Sequence, residues 1–216
     1  MRGYRLAFAS AFLAVMTMAA PAADGDPFLY FAMDDPFVGA GKPASRNDIH
    51  IFGGISTRDT LGGAVGFWNT DYTDNYMIGA AYGRDFYELP AGFVLGGVAG
   101  LGLRFGEDDE TSGEIWAGVR LRHHGLVIGN VAISPGFTAG FSLVTDPTQI
   151  EQERAAVRDG DVTFLGFLGP EIAVRFRQAP NLELVYQIHH RSGADGTFGD
   201  MGEGSNVNTF GLRYRF

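Results

Sequence analysis

The sequence predicts an all-β protein: an eight-stranded antiparallel transmembrane β-barrel with a filled interior. From Asp48 to Phe216, apolar segments recur in which large side chains alternate with polar or small ones, and successive side chains of a strand point to opposite faces. Longer polar connections alternate with short turns, as extracellular loops alternate with periplasmic turns in outer-membrane barrels. The chain ends on the aromatic run Tyr214-Arg215-Phe216, as many such barrels do. Alternation alone also permits a soluble sandwich, which buries its apolar faces and turns its charges to water. Loop lengths, the aromatic end and an export signal decide for the membrane.

That signal opens the chain. Arg2 and Arg5 supply the positive start, Leu6 to Met18 the apolar core and Ala20-Pro21-Ala22 a small-residue cleavage site, so residues 1–22 read as a secretory leader. The apolar run is too short for the ~20 residues of a membrane helix. Residues 23–47, which mix Phe28-Leu29-Tyr30-Phe31 with Pro27, Pro36 and Pro43, read as an extended periplasmic lead-in. Residues 48–216 form the barrel. Its first strand region runs from Ile49 to Trp68 with a kink near Thr57-Arg58-Asp59, followed by a polar loop from Asn69 to Tyr76. Met77 to Tyr87 is the second strand and Leu89-Pro90-Ala91-Gly92 a tight turn. The third, Phe93 to Phe105, leads into an acidic loop, and the fourth spans Glu114 to Arg122. A turn at His123-His124-Gly125 precedes the fifth, Val131 to Leu143, and a long loop from Asp146 to Asp161 the sixth, Val162 to Arg177. After Gln178-Ala179-Pro180 come the last two. Eight strands leave a lumen that side chains just fill, so no pore is expected. Glu114, Arg120, Arg122, Glu171, Arg175, Glu183 and Arg213 are expected to pair inside it.

Composition narrows the function. The chain has no Cys, which excludes disulfides, thiol nucleophiles and thiolate metal sites. Its net charge of −9 argues against a nucleic-acid partner. The acidic clusters Asp34-Asp35, Glu107 to Glu110 and Asp195/Asp200/Glu203 read as solvated loop positions without Ca²⁺-loop spacing. No Gly-rich segment follows a strand and opens a helix, so no nucleotide site is read. No metal or cofactor is expected. His50, His123 and His124 read as ordinary structural or turn residues, and His189 as a polar contact in the lumen.

The last hairpin carries the chemistry. Leu182, Leu184, Tyr186, Ile188, His190 and Ser192 share one strand face, opposite Glu183, Gln187, His189 and Arg191. In the final strand Asn206, Asn208, Phe210, Leu212 and Tyr214 share a face opposite Thr209, Arg213 and Arg215. A hairpin centred near Gly199 sets Ser192 opposite Asn206 and His190 opposite Asn208, a polar cluster at one rim of the lipid-facing wall. An imidazole beside a hydroxyl can take its proton and make it a nucleophile, and on that wall the nucleophile reaches only lipid.

On these residues the chain resembles the lipid A 3-O-deacylases, outer-membrane barrels that hydrolyse an ester-linked acyl chain of lipopolysaccharide. Their His-x-Ser near the end of the penultimate strand matches His190 and Ser192. The resemblance implies His190 as general base and Ser192 as nucleophile, with lipopolysaccharide as substrate in the outer membrane. The family's acidic third member falls on Asn206, and Glu203 in the preceding loop is the alternative carboxylate; either can orient the imidazole. The family's Asn after the Ser is Gly193 here, so an oxyanion site would rest on the backbone amides of Gly193, Ala194 and Asp195. A homodimer is compatible with the sequence. The competing reading is a non-enzymatic barrel with a structural or adhesion role, favoured by the missing acid.

Overall fold

The computed structural model describes residues 27–39, 43–107, 111–157 and 160–216. The expected leader, residues 1–22, and residues 108–110 of the acidic loop lie outside them. In chain order the strands are β1 (Leu29–Phe31), β2 (Asn47–Thr57), β3 (Tyr72–Glu88), β4 (Phe93–Gly106), β5 (Ser112–His123), β6 (Leu126–Ile128), β7 (Val131–Val144), β8 (Phe164–Phe176), β9 (Ala179–Ser192) and β10 (Glu203–Arg215). Two short helices interrupt the loops, α1 (Leu61–Ala64) and α2 (Gln149–Ala155). No helix among the described residues is long and apolar enough to cross a membrane.

Eight strands close on themselves in the order β7-β5-β4-β3-β2-β10-β9-β8, with β8 paired back to β7 and every neighbour antiparallel. The remaining two sit at the end where the short turns lie. β6 continues β5 past a break at Gly125, whose φ of +102° suits glycine, and β1 pairs with β6. The loops at the other end are the long ones, so that end is extracellular and the end bearing β1 and β6 is periplasmic.

Burial runs opposite to that of a soluble protein. Ile51 and Leu101 on the outside are 63% exposed, whereas Arg120 inside is 1% exposed. That inversion rules out the sandwich and identifies an outer-membrane barrel, apolar towards lipid and polar within. The expected lumen charges do pair. Arg213 reaches Glu171 at 2.7 Å and Glu183 at 3.2 Å, Arg104 reaches Glu114 at 2.6 Å, and Arg120 binds Asp48 and Asp85. Between the ionic groups lies an apolar layer of Phe52, Met77, Trp116, Phe167 and Val207. Gly100 and Gly102 make room for it: a Cβ on Gly100 would lie 2.2 Å from the Trp116 ring. The interior is filled.

The lead-in does more than trail from the barrel. Ala32 N–H donates to the Gly125 carbonyl and Gly129 N–H to that of Phe28. Asp35 then receives Arg175 at 2.8 Å and Arg215 at 2.7 Å, and Arg175 and Arg177 stack over the Phe37 ring. Burial pushes the Asp35 carboxyl up, but the two guanidinium groups overcome it and hold it well below the usual carboxylate range. This segment docks in the periplasmic mouth.

Two boundaries differ from expectation. The first strand ends at Thr57 rather than running to Trp68, because Thr60 and Gly62-Gly63 start a helical turn at α1. The second begins at Tyr72, inside the segment read as loop, since Tyr76 and Ile78 continue its outward face.

Candidate active site

β9 and β10 position the site. In the observed register His190 faces Asn206 and Ser192 faces Glu203, with a bulge between Glu203 and Asn206. The expected pairing of Ser192 with Asn206, and of His190 with Asn208, is therefore displaced. The partner of His190 moves by two residues and that of Ser192 by three, the bulge absorbing the odd step, so the polar cluster stays outside the barrel. The cause is the compact loop 193–202. Gly193 N–H donates to the Gly202 carbonyl, Phe198 N–H to that of Gly193, and Gly196 N–H to that of Met201. Ala194, Asp195 and Asp200 take positive φ to allow this.

The polar cluster is covered rather than open at the rim. Down the outer face of β9, Leu182 and Leu184 are exposed, Tyr186 is half-buried, and Ile188 and His190 are buried. Asn206 and Asn208 are buried beside them. The cover is the loop 58–71, which folds down along the outer wall with α1 at its centre. Its Ala64 carbonyl accepts from Asn208 Nδ2 at 3.2 Å and from the Tyr186 hydroxyl at 3.4 Å. Phe67 packs on Tyr186 and Phe210, with ring centroids 5.6 and 6.2 Å away.

Within this cover the imidazole has a defined tautomer. Asn206 Nδ2 donates to the Asp59 carbonyl at 2.9 Å, which turns Oδ1 towards His190 Nδ1, 2.7 Å away. An amide oxygen only accepts, so Nδ1 carries the proton and Nε2 keeps its lone pair. That is the tautomer a general base needs, set by a backbone carbonyl through an amide.

The nucleophile is not in the matching position. Ser192 Oγ donates to the Gly202 carbonyl at 3.3 Å and accepts from Ala194 N–H at 3.1 Å. No hydrogen bond joins it to His190 among the described residues. Nor does Glu203 reach the imidazole: both its carboxylate oxygens accept from Leu61 N–H at 3.2 Å, capping α1, and Arg154 lies 3.8 Å away. Of the two orienting candidates, the structure brings Asn206 to His190 and gives Glu203 to the loop. Among the amides read as an oxyanion site, Gly193 is committed to Gly202, and Ala194 points at Ser192 itself. Asp195 follows in the same positive-φ turn.

The other histidines lie elsewhere. His189 is in the lumen, 2.8 Å from Glu114 and edge-on to Trp116. His50 is buried beside Phe52, and His124 contacts Glu88 at the periplasmic end. Sequence reasoning missed Asp59 and Ala64, which act through their carbonyls. The signal was the Gly62-Gly63 pair, which breaks the strand pattern.

The sequence matches no family model and no curated protein. Solved structures share its fold. The outer-membrane enzyme PagL aligns over 78% of this chain and 99% of its own with a TM-score of 0.51 and 8% identity. Neisserial surface protein A aligns over 81% and 100% with a TM-score of 0.46 and 10% identity. The attachment invasion locus protein of Yersinia pestis aligns over 81% and 100%, at 0.38 and 14%. These likenesses concern the barrel architecture.

Proposed function

We propose that this outer-membrane barrel is a lipid A deacylase that hydrolyses an ester-linked acyl chain, at the 3-position, of lipopolysaccharide. The observation that carries the reading is the His190–Asn206 pair, an imidazole held in the basic tautomer on the lipid-facing wall, two residues from a serine on the same face. In the proposed reaction Ser192 leaves its loop contacts by rotating about χ1, a move between staggered wells. His190 Nε2 takes the hydroxyl proton as Oγ attacks the ester carbonyl. The sugar hydroxyl leaves with that proton, and water then releases the fatty acid from the acyl-serine by the same steps. Once Oγ has swung away, Ala194 N–H is left facing the reacting carbonyl as an oxyanion donor. Asn206 orients the imidazole without adding charge.

A second reading has its own support: Ser192 Oγ is engaged in its loop and His190 is 3% exposed. The cluster would then only glue loops to the wall of a structural or adhesion barrel. Fold does not choose between the two. Purified protein incubated with lipopolysaccharide separates them. Deacylation predicts free fatty acid release that Ser192→Ala and His190→Ala each abolish, with heat-modifiable gel migration retained. Release unaffected by either substitution, or no release at all, supports the non-enzymatic barrel.

A further inference from the structure

A substrate ester cannot reach His190 while the loop 58–71 lies over it, so access requires that loop to move. Its surroundings indicate what governs the movement. The segment from Thr60 to Thr70 contains no ionisable side chain, whereas the loops 107–111, 145–163 and 193–202 each carry two or more. Instead it presents Val65 at 58% and Trp68 at 72% exposure. It also lies at membrane depth. Phe67 contacts Phe210, four residues down β10 from Asn206, a descent of roughly 13 Å. Trp68 packs edge-on against Phe67 at 5.0 Å, and Phe67 in turn lies against the exposed wall residue Phe210. A lipid leaflet that touches that wall touches Trp68.

The holds on the loop are few and identifiable. Arg58 N–H donates to the Asp71 carbonyl, closing its base, and Arg154 donates to the carbonyls of Arg58 and Gly204. Beyond the base the attachments include Glu203 to Leu61 N–H, Asn206 to the Asp59 carbonyl, Asn208 and Tyr186 to the Ala64 carbonyl, and the Tyr72 hydroxyl to the Phe67 carbonyl. Gly62, Gly63 and Gly66 lie between them. One of these attachments is made by the residue that orients the imidazole, so the state of the loop is felt at His190.

We infer that the loop 58–71 is a lipid-docked lid: Val65 and Trp68 sit in the outer-leaflet acyl region, and lifting of the segment around Ala64 admits an acyl ester to His190. The inference rests on the deacylase reading for its purpose, but its test does not require turnover. Full-length protein is placed in phospholipid vesicles with brominated or ordinary acyl chains, and His190 modification by diethyl pyrocarbonate is mapped by mass spectrometry. Brominated chains should quench the Trp68 emission, and Trp68→Phe should remove the quenched component, because Trp116 is buried in the lumen. In the wild type His190 should react slowly. Asn208→Ala, which removes the contacts to both the Ala64 carbonyl and the Tyr72 hydroxyl and is checked for folding by heat-modifiable migration, should speed its modification about fivefold or more, fivefold being the Boltzmann factor for one net hydrogen bond. Tyr186→Phe should act in the same direction, and His189 should stay unmodified throughout. Absence of quenching, or equal His190 reactivity in the wild type and both variants, overturns the lid. Fatty acid release that survives Ser192→Ala would instead overturn the deacylase reading and leave both lid readouts intact.

Discussion

At Asn206 two hydrogen bonds decide the chemistry of the neighbouring imidazole. Nδ2 is fixed by the Asp59 carbonyl and Oδ1 by His190 Nδ1, so neither the amide nor the ring is free to flip. Without Asn206, His190 can adopt the tautomer whose Nε2 carries the proton and cannot accept one from Ser192. Asn206→Ala is therefore expected to lower kcat roughly tenfold or more with little change in KM, given that general-base assistance contributes about 10²–10⁴. Steady-state rates on purified lipopolysaccharide check this. An effect confined to KM would mean that Asn206 serves substrate binding instead. The shared face of these candidates was legible in the sequence, because strand alternation places His190, Ser192, Asn206 and Asn208 on one face. Which of Asn206 and Glu203 contacts the imidazole was not, because that depends on where a loop carbonyl and a helix N-terminus fall.

At the scale of the elements, the strands followed their alternation and the loops did not. Val131 to Val144 matched its reading almost to the residue, since Pro135, Phe137, Ala139, Phe141 and Leu143 keep one outward period. The stretch from Arg58 to Asp71 misled because Val65, Phe67 and Trp68 look like strand residues; they are apolar to cover the outer wall, and the chain has already turned at Thr60. Glycine placement shows how tightly the strands are fitted around the lumen. Gly100 faces Trp116 so closely that a methyl group there displaces the indole. Gly100→Ala is expected to destabilise the barrel by about 1–3 kcal/mol, the usual range for overpacking. Urea unfolding in detergent micelles, followed by heat-modifiable migration, measures it.

For the whole molecule, the packed ionic groups and the proposed chemistry lie on opposite sides of one wall. Inside, Arg213 joins Glu171, Glu183 and Asp48. Arg213→Ala takes the salt-bridge partner from the buried Glu171 carboxylate and is expected to cost about 3–5 kcal/mol, read by the same unfolding assay. At the periplasmic mouth Asp35 binds Arg175 and Arg215. Its depressed titration means that its contribution is complete above the unfolded carboxyl value of about 4 and is lost as pH falls below it. Hydrogen exchange over residues 28–37 should thus be faster in Asp35→Asn than in the wild type at pH 7, with the difference narrowing in acid. Outside, the wall carries the proposed chemistry, where lipid is the available substrate. The most direct test is mass spectrometry of lipid A from cells expressing the wild-type chain, the Ser192→Ala variant, or neither. A lipid A species lacking one ester-linked acyl chain is expected with the wild type alone. Identical lipid A profiles in all three, with the wild-type barrel folded in the outer membrane, would contradict it.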